Sequence, residues 1–250
     1  MGLTFGLVIP SWDKEAAEIT VANLVAGEAR VNQVLIAGAS RTENRWGAVE
    51  AMGKGAQQVT NADVLVFAHD DMEVYEPWTE YLEILFTAKP EVGLIGLHGA
   101  TGLGSEDIYR TRYQLQQLAR YDPASNLIDA EAHGRRCTVP IELATVDGFF
   151  MAVRAEAYKL VGGWEACLKD GIPYHMYDHW MAMALREKGY KTYLAPVSCK
   201  HFGGGTEVKR SEDYENWARE NGFNDISDVH TKGHEAFYRR FRGQLPVRIH

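Results

Sequence analysis

Short apolar runs alternate with helix-like segments through residue 97, and that alternation leaves the chain few folds. Phe5 to Ile9 is nearly continuously apolar and stops at Pro10, the pattern of a strand buried on both faces. Residues 14–29 are helical in character and end near Gly27. Val31 to Ala37 predicts a second strand, and Ala48 to Val59 a helix despite Gly53 and Gly55. Val64 to Phe67 is a third strand. Pro77 to Ala88 is an amphipathic helix with proline near its start, and Val92 to Leu97 is a fourth strand. Such alternation predicts an α/β domain with a doubly wound, mainly parallel sheet.

Residues 99–140 are rich in glycine, polar and charged residues and read as an insertion carrying substrate loops. Order returns with ATVDGFFMAVR (144–154), followed by a turn at Gly162-Gly163-Trp164. A helix is expected from about His179 to Lys188 and a last strand over Lys191 to Ala195. After Gly203-Gly204-Gly205, residues 206–250 form a charged extension, expected to be helical and packed on a domain spanning 1–205.

Composition excludes several classes. At 250 residues, 46% hydrophobic and 24% charged, the chain has the makings of a soluble globular protein with one large core. No apolar run approaches the roughly 20 residues of a membrane span, and MGLTFGLVIPSWDKE has no basic leader before its apolar segment. Three widely spaced cysteines, Cys137, Cys167 and Cys199, argue against a disulfide framework and for the cytoplasm. A net charge of −8 disfavours general nucleic-acid binding.

The third strand runs into His69-Asp70-Asp71, within VLVFAHDDMEV. Adjacent carboxylates repel, and burial sharpens the repulsion, so a Lys, an Arg or a divalent metal is expected against them. Ligands of doubly wound sheets bind beyond the carboxyl ends of the strands, which is where this cluster falls. The plain alternative is a solvated turn with Asp70 capping a helix.

Three segments then fall into a recognisable order: AHDDM, VDGFFMAVRAEAYKLVGGWEA and YDHWMAMALREKGYKTYLAPVSCKHFGGGT. Together with LVIPSWD they resemble family-2 glycosyltransferases of the GT-A fold, and especially a small bacterial and phage group whose acidic motif reads F-x-H-x-D. The resemblance covers most of residues 3–205. It implies transfer of a sugar from a nucleotide-diphosphate sugar, UDP-sugars being commonest, with Mn²⁺ or Mg²⁺ neutralising the leaving diphosphate.

Carried over residue by residue, the resemblance makes Asp71 and His201 metal ligands; a nitrogen ligand suits Mn²⁺ better than Mg²⁺. Pro10, Ser11 and Trp12 fall in the nucleotide loop. Asp70 would hold ribose or a metal-bound water, and His69, which replaces the first Asp of a DxD motif, would contact the nucleotide donor. Asp147 and Gly148 would meet the donor sugar, with glycine admitting it close to the backbone. Lys54 could neutralise phosphate, although a solvated helix lysine is as good a reading. Asp178 occupies the place of the general base of an inverting transfer, with Tyr177 where that motif has Glu; an Asp there also suits a helix cap. Trp164, Tyr174 and His175 are candidates for stacking on an acceptor sugar, while Trp180 looks like core. The three glycines after His201 would form a mobile flap.

Three rivals stay open: a retaining transferase without a base, a nucleotidyltransferase, and a non-catalytic sugar-nucleotide-binding module. The acceptor could be a glycan, a lipid-linked glycan, a protein or a modified DNA base. FYRRFRG (237–243) has the aromatic and Arg content to touch anionic lipid or nucleic acid, but also that of an ordinary packed helix.

Overall fold

The computed structural model describes residues 2–38, 45–105, 123–125, 135–202 and 211–249. In chain order the first half holds β1 (Phe5–Pro10), α1 (Lys14–Val25), β2 (Val31–Ala37), α2 (Ala48–Gln58), β3 (Val64–Ala68), β4 (Met72–Val74), α3 (Trp78–Ala88), β5 (Val92–Gly96), β6 (His98–Ala100) and β7 (Gly102–Leu103). Short strands β8 (Pro123–Ser125), β9 (Arg135–Arg136), β10 (Ile141–Leu143) and β11 (Thr145–Val146) lead to β12 (Phe150–Arg154). Helices α4 (Ala155–Leu160), α5 (Gly163–Lys169) and α6 (Tyr177–Glu187), strands β13 (Lys191–Leu194) and β14 (Cys199–His201), helices α7 (Ser211–Glu220) and α8 (Ile226–Phe241), and β15 (Val247–Arg248) complete it.

Seven strands form the main sheet in the order β10-β13-β5-β12-β3-β1-β2. β1 runs parallel to β2 and β3, and β13 parallel to β5. β12 is wedged antiparallel between β3 and β5, and β10 closes one edge antiparallel to β13. The sheet is therefore mainly parallel, as the alternation predicts. The ordered stretch expected over 144–154 forms two strands separated at Asp147-Gly148. β11 pairs with β6 in a small second sheet, while β12 enters the main one.

The period-2 alternation of strand side chains divides the core. Phe5, Leu7 and Ile9 with Val64, Val66 and Ala68 face α1 and α3. Val8 with Leu65 and Phe67 faces α2, α5, α6 and α8. Truncating a fully buried ring such as Phe67 would cost about 3–5 kcal/mol. Gly55 in α2 is explained here: a Cβ there would lie 2.4 Å from Val8 Cγ1, so glycine lets the helix sit directly on β1. Its helix penalty, about 1 kcal/mol, is offset by that contact.

Helix α3 is capped from a distance. Its first N–H, Trp78 N, donates to Glu28 Oε1 at 2.7 Å, and Thr79 Oγ1 donates to the other carboxylate oxygen. Beyond residue 210, α7 places Tyr214 and Trp217 against Trp12, and α8 sinks Phe237 and Phe241 into the same core as Trp164 and Trp180. β15 then pairs with β7. The boundary expected at residue 205, and the glycine flap at 203–205, lie outside the described residues.

Candidate active site

Strand β3 ends at Ala68, and its antiparallel neighbour β12 begins opposite it, with Phe150 paired to Ala68. The segments His69–Asp71 and Asp147–Phe149 therefore arrive together, joined by His69 N donating to Phe149 O at 2.9 Å. Ribbon β14–β4, with His201 opposite Met72, brings the third segment to the same place. Three elements far apart in sequence thus meet at the carboxyl end of β3.

His201 Nε2 lies 3.1 Å from Asp71 Oδ1 and 3.3 Å from His69 Nδ1. One ligand atom from each of His69, Asp71 and His201 falls within 4.8 Å of the others. The His201 ring stacks on buried Phe149, with centroids 4.7 Å apart and planes at 19°, which fixes its orientation. Burial lowers the pKa of His69, His201 adds to the effect, and the nearby carboxylates of Asp71, Asp147 and Asp70 oppose it without cancelling it. A neutral imidazole with a free lone pair is what a metal requires. Two imidazoles and one carboxylate fit Mn²⁺ better than Mg²⁺, which favours an all-oxygen shell. His69, expected from the sequence to contact the nucleotide, stands with the potential ligands.

Asp70 points elsewhere. It is 9% exposed, and Ser11 Oγ donates to its Oδ2, so the loop after β1 and the end of β3 are tied together. Pro10 ends β1 beside Ala37. Trp12 is only 7% exposed; its Nε1 donates to Trp46 O at 2.9 Å and its ring packs among Tyr174, Tyr214 and Trp217. It acts as the anchor for α7. Lys54 lies 3.6 Å from Glu50 and 5.0 Å above the Trp46 ring, partners that are not members of the acidic cluster.

Asp178 is the second residue of α6 and does not cap it. The cap is Met176, in the left-handed region at φ 70°, and no side-chain hydrogen bond caps the helix. Asp178 Oδ2 accepts from Gly148 N at 3.1 Å, while Oδ1 accepts from His179 N at 2.8 Å and lies 2.6 Å from His179 Nδ1. Burial pushes this carboxyl up, but the charge and hydrogen bonds of His179 outweigh it, and the net pKa is lowered. His179 is shifted the opposite way: burial lowers it, and Asp178 more than compensates, leaving it raised. The pair is an ionised carboxylate held beside a proton-rich imidazole.

Two sequence expectations need correction. Gly148 was expected to admit sugar, but its missing Cβ makes room for Tyr177, whose Oη would lie 2.3 Å from one. Trp164 was expected to stack on an acceptor; it is fully buried, 5.2 Å from Phe67 and 5.8 Å from Tyr177 between ring centroids. It supports the site from below. Tyr174 and His175 are partly buried. Tyr174 stacks on Tyr214 at 4.4 Å and His175 on His230 at 3.4 Å, so α7 and α8 hold both rings. Asp147 stays near the centre, its charge acting on His69, Tyr177 and His179.

Sequence reasoning passed over Tyr177, His179 and Phe149. The available signal was adjacency, since each stands next to a residue already singled out.

Residues 47–236 match a glycosyltransferase-like family. Among solved structures, the fold is similar to that of GalNAc-T7 in complex with UDP, GalNAc and Mn²⁺, with a TM-score of 0.55 and 13% identity over 98% of this chain. The chain spans 56% of the length of that protein. It is also similar to the mannosyltransferase PcManGT from Pyrobaculum calidifontis, in complex with GDP-Man and Mn²⁺, with a TM-score of 0.49 and 14% identity over 97% of this chain and 71% of that one. No curated protein sequence matches significantly. With three quarters of its length inside the family match and a sheet of matching architecture, the chain belongs to this glycosyltransferase-like family and carries the GT-A fold.

Proposed function

We propose that the chain transfers a sugar from a nucleotide-diphosphate sugar, UDP-sugars being favoured, to an acceptor hydroxyl with inversion of configuration. The observation that carries the reading is the His69–Asp71–His201 cluster at the carboxyl end of β3, with Asp178 reached through a single intervening residue, Tyr177. His69, Asp71 and His201 would hold Mn²⁺ or Mg²⁺, which when bound supplies Lewis-acid stabilisation of the diphosphate as it leaves. Asp70, fixed by Ser11, would orient the ribose. Asp147 would accept hydroxyl hydrogen bonds from the donor sugar.

Asp178, ionised at neutral pH, would take the proton of the attacking hydroxyl at whichever oxygen faces the acceptor, and His179 holds the carboxylate in place. Tyr174 and His175 would offer ring edges to the acceptor. That acceptor is a hydroxyl on a glycan, on a lipid-linked glycan or on another polymer, a modified DNA base among them. No helix among the described residues is long and apolar enough to cross a membrane. The three cysteines, buried and joined in no disulfide among the described residues, support placement in the cytoplasm.

A second reading, transfer with retention, rests on one observation. Asp178 already accepts from three donors, which lowers its basicity and suits a residue that only orients the acceptor. Proton NMR of the anomeric centre in the first-formed product, or in the slow hydrolysis product of the donor, tests the proposal. The anomer opposite to the donor's supports inversion, the same anomer supports retention, and no turnover of any nucleotide sugar with Mn²⁺ contradicts both.

A further inference from the structure

Neither the family match nor the acidic motif assigns a task to Tyr177, yet its hydroxyl touches the cluster directly. His69 has two ring nitrogens with different surroundings. Nδ1 faces His201 Nε2 at 3.3 Å and Asp71 Oδ1 at 3.8 Å. Nε2 lies 2.7 Å from Tyr177 Oη. A neutral imidazole carries one proton, and the nitrogen that ligates a cation must be the bare one. We propose that Tyr177 is a positioning residue: its hydroxyl accepts the His69 Nε2–H, holds His69 in the tautomer with Nδ1 bare, and fastens the end of β3 to the helix bearing Asp178. The proposal rests on reading His69, Asp71 and His201 as a cation site.

Several features aim this hydroxyl rather than merely packing the ring. Met176, immediately before it, takes the left-handed conformation that turns the chain into α6. Gly148 leaves the space its Oη occupies, and the ring meets Trp164 edge-on at 84°. Phenylalanine would fill the same volume, so packing alone does not call for the oxygen. A partner on the outer nitrogen of a ligating imidazole commonly changes metal affinity by about 10- to 100-fold. Because Tyr177 and Asp178 are consecutive, any shift of His69 is also felt by the carboxylate.

The test compares wild type with Tyr177→Phe. Nitrogen-15 NMR of the metal-free proteins at fixed pH reads the His69 tautomer, and calorimetry with Mn²⁺ alone reads affinity. Wild-type His69 is expected to be protonated on Nε2, and Tyr177→Phe to lose that bias and weaken Mn²⁺ binding about 10- to 100-fold, with an unaltered circular dichroism spectrum. Unchanged tautomer and affinity in Tyr177→Phe would overturn the proposal. So would wild-type His69 protonated on Nδ1, an outcome that does not depend on whether the variant folds. If wild type shows the Nε2–H tautomer and Tyr177→Phe loses it, yet neither binds Mn²⁺, the cation reading fails while the tautomer assignment stands.

Discussion

Gly148 N–H donates to Asp178 Oδ2 at 3.1 Å, joining the break between β11 and β12 to the first turn of α6. The carboxylate is thereby held from the strand side as well as from its own helix, where His179 N and Nδ1 approach the other oxygen. Asp178→Asn keeps an acceptor for Gly148 and nearly the same volume but cannot take a proton. The turnover rate should fall about 10²- to 10⁴-fold, while calorimetric affinity for the nucleotide stays within about twofold, since base removal leaves ground-state donor contacts in place. A near wild-type rate would assign Asp178 to acceptor orientation.

Gly148→Ala probes the other end of that contact. A Cβ would lie 2.3 Å from Tyr177 Oη and 2.6 Å from Cζ, so the ring must move. Overpacking of this kind costs about 1–3 kcal/mol. Thermal unfolding should register that loss, and Mn²⁺ affinity should drop with it because His69 loses its fixed partner. Full retention of both would show that the ring shifts freely.

Trp164 separates core from acceptor site. Fully buried against Phe67 and Tyr158, it should cost about 3–5 kcal/mol of stability when replaced by Ala. Trp164→Phe should be milder and leave the acceptor KM unchanged. A selective rise in acceptor KM with unchanged stability would restore the stacking role that the sequence suggested.

Acid stability should depend on α8. Arg240 pairs with Glu187 of α6 through two hydrogen bonds of 2.7 and 2.6 Å. The Arg240 hydrogen bonds hold the Glu187 carboxyl below its ordinary value, against a smaller opposing effect of burial. A carboxyl lowered in the folded state stabilises it above the unfolded pKa, about 4.3 for Glu, and that contribution is lost as pH falls through the folded value. Both side chains are partly solvated, so the pair is worth about 1 kcal/mol or less, about 2–4 °C in Tm for a chain of this size. Arg240→Met should show that deficit at pH 7, and the gap to wild type should close on acidification below about pH 4. A gap that persists or widens in acid would contradict the assignment.

The legibility of this molecule from its sequence follows the physics of each element. Strands β1, β3 and β5 announce themselves because burial on both faces demands continuous apolar runs. The direction of β12 does not: an apolar run reads the same either way, and only pairing with β3 and β5 fixes it. Helix α6 starts two residues before its apolar periodicity suggests, because the left-handed Met176 rather than a capping side chain begins it. Glu28 capping α3 across 50 residues leaves no local trace.

At the site, only the resemblance links Asp71 with His201 in the sequence, since nothing in the spacing shows that β14 folds back on β4. The place of His69 beside Asp71 and His201 leaves no trace in the sequence, because it depends on which ring nitrogen faces them. Trp164 was misplaced because an aromatic near a glycine pair looks the same in a core as beside a ligand.

Calorimetric titration with UDP tests whether this cluster binds a nucleotide diphosphate through a divalent cation. Wild type should bind UDP far more tightly with Mn²⁺ than with chelator, and Asp71→Asn should abolish most of that difference while its unfolding temperature stays close to wild type. Equal affinity with and without Mn²⁺, or an Asp71→Asn variant that responds to Mn²⁺ as wild type does, would contradict it.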